Sequence, residues 1–447
     1  MNSYRLSFAA TAPHCIFLLF VLAALEARCA QPPAFSAPVN YSCTNGEQVC
    51  MGDFNGDGAI DLVVSSSVTG KLVVFTNNGA GAFAACVTLT SPGTPHSIAV
   101  ADFNGDGKPD ILAVNYPGDS LVVWTGNGSG AFASAKVSTV SINDSYTGVA
   151  VGDFNNDGKL DLVVTTYGPQ IFLGHGDGYF SFSASYGGNT TFGAATGYFN
   201  DDTNLDFVTA NYSSSSMSVY LGAGNATFPS YTDYSGDNSE YHYAVAVGDF
   251  NGDGKSDLAT INYYFNSVSV RTNLGTGQFS GESRYRTPYS PQAIATADFN
   301  GDGHLDILSS HSSSTSFLSI LCGNGDGTFA TALTNFSGLT TGKPNQCIAI
   351  ADVNGDGKPD IISTCTAADS VSVRLNQTAP ALQIRNTAVT CFEVKWPNWT
   401  GYTLEASTNL ALPNSWTPVA GTCLDSGGRK SWTNSAGAQQ AFYRLRK

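Results

Sequence analysis

The sequence predicts an all-β fold: a seven-bladed β-propeller of four-stranded blades, followed by a small β-sandwich-like C-terminal unit. Three observations predict it. An aspartate-rich segment recurs seven times along the chain. A glycine-rich turn ending in phenylalanine recurs out of phase with it. The stretches between them are short runs rich in Val, Ile and aromatic residues, bounded by Gly, Asn or Pro, as strands are.

The composition agrees. Only 12% of the 447 residues are charged, about half the usual share, while 42% are apolar and Gly numbers 48. A disordered chain, a coiled coil and a helical bundle are excluded by this balance. The net charge of −15 would repel a phosphate backbone, so nucleic acid is not an expected partner.

The N-terminus reads as a secretory leader. Arg5 precedes an apolar run from Cys15 to Leu25, and the small residues Ala27, Cys29 and Ala30 follow. Such a run is too short to span a bilayer and suits a signal-peptide core. Residues 1–30 are therefore expected to be removed, leaving a protein that is secreted, extracellular or held at the cell surface. No later apolar stretch reaches 18 residues, so no membrane span is expected.

The aspartate segments start at Asp53, Asp102, Asp153, Asp249, Asp298 and Asp352, with a damaged copy at Tyr198–Asp206. Their spacings are 49, 51, 45, 51, 49 and 54 residues, a period typical of propellers and solenoids. The Gly-Phe turns end at Phe83, Phe132, Phe180, Phe228, Phe279 and Phe329. The seventh repeat has no such turn. The stretch Pro33–Pro38 aligns with the residues after the turns, so the N-terminus is expected to supply the missing strand and close a ring. In the second repeat the strands read as Ser97–Ala101, Ile111–Val114, Ser120–Trp124 and Phe132–Val137. The propeller thus covers 31–377.

The pattern Asp-x-Asn-x-Asp-Gly-x-x-Asp puts oxygen side chains at positions 1, 3, 5 and 9, with a glycine at position 6 for the tight turn. A hairpin turn alone explains the glycine and one aspartate. It does not explain three carboxylates within nine residues in six loops, which repel one another without a cation. Calcium takes six to eight hard oxygens in a flexible shell, so about six structural Ca2+ sites are expected. The candidate ligands are Asp53, Asn55, Asp57 and Asp61; Asp102, Asn104, Asp106 and Asp110; Asp153, Asn155, Asp157 and Asp161. They continue with Asp249, Asn251, Asp253 and Asp257; Asp298, Asn300, Asp302 and Asp306; Asp352, Asn354, Asp356 and Asp360. Position 12 is Val64, Ala113 or Val164 rather than the Glu of an EF-hand, so the ninth-position aspartate is expected to close the shell. The fourth loop carries Tyr198 and Thr203 in place of the first Asp and the glycine, and is expected to be empty or weak.

A symmetric hairpin over the seventh loop would place Cys347 opposite Cys365, where a disulfide is expected in an exported protein. Cys43 with Cys50 and Cys391 with Cys423 are further pairs of suitable spacing.

Beyond a linker at Thr378–Pro380, residues 378–447 read as a separate small β-rich module holding Trp396, Trp399, Trp416 and Trp432, with core packing favoured over sugar stacking for these rings. On the propeller, loops opposite the aspartate loops are rich in Tyr around repeats four and five. Tyr212, Tyr241, His242, Tyr243, Tyr263 and Tyr264 are the candidate ligand-binding residues. No hydrolase elbow or metalloprotease motif occurs, and no catalytic residue is assigned.

Both recurring motifs, in register over residues 31–377, resemble those of the FG-GAP repeat family, also called VCBS-like or integrin α-like repeats. The resemblance implies a seven-bladed propeller with calcium between the first and second strands of each blade, on one face of the disk. Functions in the family include adhesion, glycan binding and propeller parts of polysaccharide-degrading enzymes. Two readings follow: a non-catalytic binding or adhesion scaffold for an extracellular glycan or protein, which is favoured, or a secreted polysaccharide lyase or hydrolase using His242, a tyrosine or a loop carboxylate.

Overall fold

The computed structural model describes residues 32–142, 148–187, 189–236, 241–312, 318–333 and 347–379, and beyond them 383–388, 391–397, 402–407, 417–419, 423–424, 430–433 and 442–446. The expected leader lies outside the described residues.

Seven antiparallel blades follow one another along the chain. Blade one comprises Gln48–Gly52, Asp61–Ser66, Lys71–Asn77 and Phe83–Thr90. Blade two comprises Pro95–Ala101, Asp110–Asn115, Ser120–Trp124 and Lys136–Thr139. Blade three comprises Val149–Gly152, Asp161–Thr166, Gly168–Gly174 and Phe180–Ser185. Blade four comprises Thr191–Gly197, Asp206–Asn211, Ser216–Leu221 and Ser230–Ser235. Blade five comprises His242–Gly248, Asp257–Asn262, Ser267–Arg271 and Ser283–Arg286. Blade six shows Pro291–Ala297, Asp306–His311 and Leu318–Leu321, with bridges from Ile320 to Leu333 and from Gly323 to Phe329. Each first strand touches the first strand of the next blade, and the seventh touches the first, which closes the ring.

The N-terminus completes blade seven as expected. Ile348–Ala351, Asp360–Cys365 and Ser370–Arg374 are joined by Val39–Ser42, whose register runs from Val39 opposite Val373 to Ser42 opposite Ser370. Phe35 bridges Asn376, and the Ala34 amide donates to Thr378 Oγ1 at 2.8 Å.

Every second strand is buried along its whole length, because both faces of a blade are covered by neighbours. Their runs, such as Leu62-Val63-Val64, are accordingly apolar without alternation. Blade packs on blade through a recurring edge-to-face aromatic pair. The phenylalanine at loop position 2 meets the turn phenylalanine of the next blade: Phe54 with Phe132, Phe103 with Phe180, Phe154 with Phe228, Phe199 with Phe279 and Phe250 with Phe329, at centroid distances of 5.5–5.7 Å. Phe299 of blade six meets Phe35 at 5.9 Å. Phe35 is therefore the seventh turn phenylalanine, displaced to the other end of the chain. In the last seam Val353 takes the place of the loop ring and shares a core with Phe83.

The Cys347–Cys365 expectation is corrected by the register. The seventh hairpin pairs Ala351 with Asp360 and Ile348 with Ser363, so Cys347 faces Thr364 and Cys365 faces Ser370. The loop is asymmetric by one residue, and a one-residue slip turns side chains to opposite faces. Cys347 Sγ points into the seam with blade one, 3.8 Å from the Val49 carbonyl. Cys43 and Cys50 are likewise not joined to each other. Of Cys391 and Cys423 only the backbone strands are described.

The C-terminal residues add two antiparallel sheets. One holds Gln383–Ala388, Cys391–Trp396, Lys430–Thr433 and Cys423–Leu424; the other holds Thr417–Pro418, Thr403–Ser407 and Phe442–Arg446. Trp396 is 1% exposed and belongs to a core.

Replacing Phe54, which is 1% exposed, by Ala is expected to cost about 3–5 kcal/mol. Phe35→Ala, at a half-buried position, is expected to cost about 2 kcal/mol. Urea denaturation measures both; a loss below about 0.5 kcal/mol for Phe35→Ala would contradict its role in closing the ring.

Candidate functional site

The six intact aspartate loops share one geometry. In loop one Asp53 Oδ1 accepts the Gly56 and Asp57 N–H groups at 2.7 and 3.2 Å, and Oδ2 accepts that of Gly58 at 2.9 Å. Asn55 Oδ1 takes the Asp57 N–H and Asp57 Oδ1 takes that of Ala59. The first-position bonds to the loop amides recur at Asp102, Asp153, Asp249, Asp298 and Asp352. These side chains wrap the loop around its own N–H groups, and Gly58 supports the turn at φ 84°. Asn104, Asn155, Asn251, Asn300 and Asn354 occupy the place of Asn55. Asp106, Asp157, Asp253, Asp302 and Asp356 occupy that of Asp57. Among the described residues no three His, Cys, Asp or Glu side chains form a ready-made metal cluster. A cation would draw the loop oxygens from these amides.

The ninth-position aspartate does something the motif did not announce. Asp61 is fully buried; Oδ2 accepts the Phe54 N–H at 3.1 Å and Oδ1 accepts the Asn77 N–H at the end of the third strand at 2.8 Å. Asp110, Asp161, Asp206, Asp257, Asp306 and Asp360 make the same two bonds in their blades, all at 2.7–3.1 Å. Each carboxylate thus ties the loop to the third strand. Burial pushes these carboxyls up, to about 6 at Asp110 and Asp161 and about 7 at Asp360, against the lowering effect of the two N–H donors. The charges at positions 5 and 1 add to the rise in each intact loop.

Loop four keeps this clamp and the bonds at positions 3 and 5, where Asn200 Oδ1 accepts the Asp202 N–H at 3.1 Å and Asp202 Oδ1 accepts that of Asn204 at 2.8 Å, and loses those of the first position. Asp206 binds the Phe199 and Gly222 amides at 2.8 and 2.7 Å, yet Tyr198 is 56% exposed in place of the first aspartate. Neither Asp201 nor Thr203 takes the positive φ found at Gly56 and Gly58, so the loop follows another path.

On the opposite face six aromatic rings meet. Phe192 stacks on Tyr212 at 4.7 Å and meets Tyr243 edge-on at 4.9 Å. Tyr212 contacts Tyr241 at 4.6 Å, Tyr241 contacts Tyr264 at 4.9 Å, and Tyr243 stacks on Tyr263 at 4.7 Å. A bulge recurs in the first strands of blades two, four, five and six, and in blades four and five an aromatic residue lies on it. The first strands of blades four and five slip register at Thr191/Gly193 and at His242/Val245, which re-aims Phe192 and Tyr243. Tyr264 is 58% exposed, and burial together with the Tyr264 hydroxyl pushes the Tyr212 phenol up. Tyr241 sits at φ 51°, a strained value for a tyrosine.

The cluster contains five of the six expected ligand residues. His242 is the exception: it is 1% exposed, turned inward ahead of the bulge, and is not at the surface. Phe192 lies outside the expected set; the signal for it is Gly193, an isolated glycine within a strand, which sits at the bulge where a Cβ would meet the Tyr243–Ala244 backbone. Tyr231 and Tyr234, nearby in sequence, lie instead on the outer strand of blade four, stacked on Tyr220 and packed on Phe279.

Seven blades, each pinned by one buried aspartate and six of them carrying an Asp-Asn-Asp loop above it, define a repeat propeller of the kind the motifs resemble. The FG-GAP-like repeat model matches residues 53–113, 102–164, 198–260 and 249–309, and the chain belongs to that family. No curated protein matches the chain. Among solved structures, BBS1N crystallised in complex with ARL6DN shares 12% identity with a TM-score of 0.55, covering 77% of this chain and 98% of that one. Raptor from Chaetomium thermophilum shares 12% identity with a TM-score of 0.52, covering 78% of this chain and 30% of that one. An Agrocybe aegerita lectin that recognises non-reducing terminal N-acetylglucosamine shares 19% identity with a TM-score of 0.48, covering 65% and 80%. At these identities the likeness to BBS1N and Raptor is one of fold.

The clamp and the loop oxygens are separable by mutation. With chelator present, Asp61→Ala and Asp206→Ala each strand two buried N–H groups and are expected to cost about 2–5 kcal/mol. Asp57→Ala, at an exposed position, is expected to cost less than about 1 kcal/mol under the same conditions. Chemical denaturation distinguishes them, and equal losses would show that the ninth position has no separate structural role.

Proposed function

We propose that this protein is an extracellular, calcium-binding, non-catalytic scaffold that holds a glycan or protein ligand on the aromatic face of blades four and five. The observation that carries this reading is the cluster of Phe192, Tyr212, Tyr241, Tyr243, Tyr263 and Tyr264, linked ring to ring and partly exposed. Tyrosine offers an apolar face for sugar C–H groups or peptide side chains and a hydroxyl at its edge for hydrogen bonds. The leader-like residues 1–30 support export.

Calcium would be held by the residues at positions 1, 3 and 5 of the six intact loops, above the buried ninth-position carboxylate. The donors are hard oxygens, and the mutual repulsion of three carboxylates per loop is what a divalent cation relieves. At free calcium ten times Kd each site would add about 1.4 kcal/mol to stability.

The pH dependence follows from the raised aspartates. Their folded-state values lie above the ordinary value of about 3.9, so the folded protein holds these protons longer than the unfolded chain. That contribution is fully present below pH ~4 and is lost as pH rises through about 6 to 7. A divalent cation held above these carboxyls favours their ionised forms. The rise in melting temperature on replacing chelator with calcium is therefore expected to be larger at pH 8 than at pH 5; no rise at either pH would remove the calcium reading.

Ligand class is tested by retention of the purified protein on immobilised polysaccharides and matrix proteins, with the wash assayed for released fragments. Tyr241→Ala and Tyr264→Ala are each expected to weaken retention about tenfold at unchanged melting temperature. Retention indifferent to both would place the ligand elsewhere, and released fragments would make the protein an enzyme.

A further inference from the structure

Loop seven differs from its equivalents. Lysine stands at position 7 in loops two, three, five and seven. The side chains of Lys108 and Lys159 are 44% and 46% exposed, with Nζ 3.9 and 3.8 Å from the position-5 aspartate. That of Lys358 is 3% exposed, with Nζ 3.4 Å from Asp356 Oδ2. It also donates to the Asn376 carbonyl at 3.3 Å. The C-terminal residues make the difference: the ring of Tyr402, beside the strand Thr403–Ser407, lies 5.9 Å from Lys358 Nζ.

The position of the ammonium matters for a metal. Asp356 Oδ1 accepts the Lys358 backbone N–H at 3.1 Å, which leaves Oδ2 as the oxygen for a cation. That oxygen is the one Lys358 approaches. A divalent ion and an ammonium group cannot both sit there, and the Tyr402 ring favours the ammonium through its negative face.

We propose that calcium binding in loop seven and docking of the C-terminal strand through Tyr402 oppose one another, with Lys358 as the group over which they compete. The inference rests on calcium binding to the intact loops. Coupling between two binding events is reciprocal, so the factor by which Tyr402 weakens calcium is the factor by which calcium loosens Tyr402. A cation–π contact supplies about two- to fivefold. Loop seven would then act as the calcium-sensitive site, while loops one to three and five stabilise blades without reference to the C-terminal residues.

Hydrogen exchange on the full chain, with and without calcium, tests this alongside calorimetric counting of bound calcium. Calcium is expected to speed exchange in 402–407 about two- to fivefold. Lys358→Ala is expected to abolish that response while calcium still protects loops one to three and five, and Lys358→Arg to retain it. Tyr402→Ala is expected to tighten one calcium site by the same factor, and Asp356→Asn to remove one site from the count. Calcium bound with exchange in 402–407 unchanged or slowed would overturn the coupling alone. No bound calcium at all would overturn the calcium reading, and the coupling with it.

Discussion

Each blade depends on one carboxylate with no contact with water. The two oxygens of the ninth-position aspartate hold the amide at the start of the loop and the amide at the end of the third strand. The loop lies between the first two strands, so this fixes three strands from a single side chain. It also sets the neighbouring phenylalanine, whose own N–H is one of the two held, against the turn ring of the next blade. Local chain direction and inter-blade packing are thus specified by the same residue. The cost is a buried anion with two further carboxylates nearby, visible in the upward displacement of its pKa.

That arrangement gives a reason for the loop chemistry. Positions 1, 3 and 5 already satisfy the loop amides, so the turn stands without a cation. A bound calcium would add neutralisation of charge rather than create the turn. Loop four is the internal comparison: it lacks the first carboxylate and both positive-φ positions, and its blade still assembles with the same two clamp bonds and the same Phe199–Phe279 pair. Assembly of a blade therefore does not need the full set of loop carboxylates.

Much of this was legible in the sequence, because the repeats compare the chain with itself. Period, strand order, loop boundaries and closure by the N-terminus all follow from aligning seven copies. The part that was misread has identifiable causes. Asp206, kept beside Tyr198 and Thr203, marks position 9 as having a structural duty of its own. The Cys347–Cys365 pairing failed by one residue, since a hairpin assumed symmetric was not. His242 faces inward and Phe192 outward for one reason: a bulge decides which of neighbouring residues faces out, and its one mark in the sequence is the isolated strand glycine Gly193.

The closing strand has a consequence for how the molecule is made. Ala34 and Thr378 are bonded across 344 residues, so the first part of the ring to be synthesised waits for nearly the last part. Blades one to six can each form from contiguous residues as they emerge, but the seventh cannot be completed until the others have been made. Until then Ser370–Arg374 is an open sheet edge and Val39–Ser42 an unpaired segment, each able to pair with another chain as readily as with the other. Assembly is therefore most exposed to strand exchange between molecules at its final step.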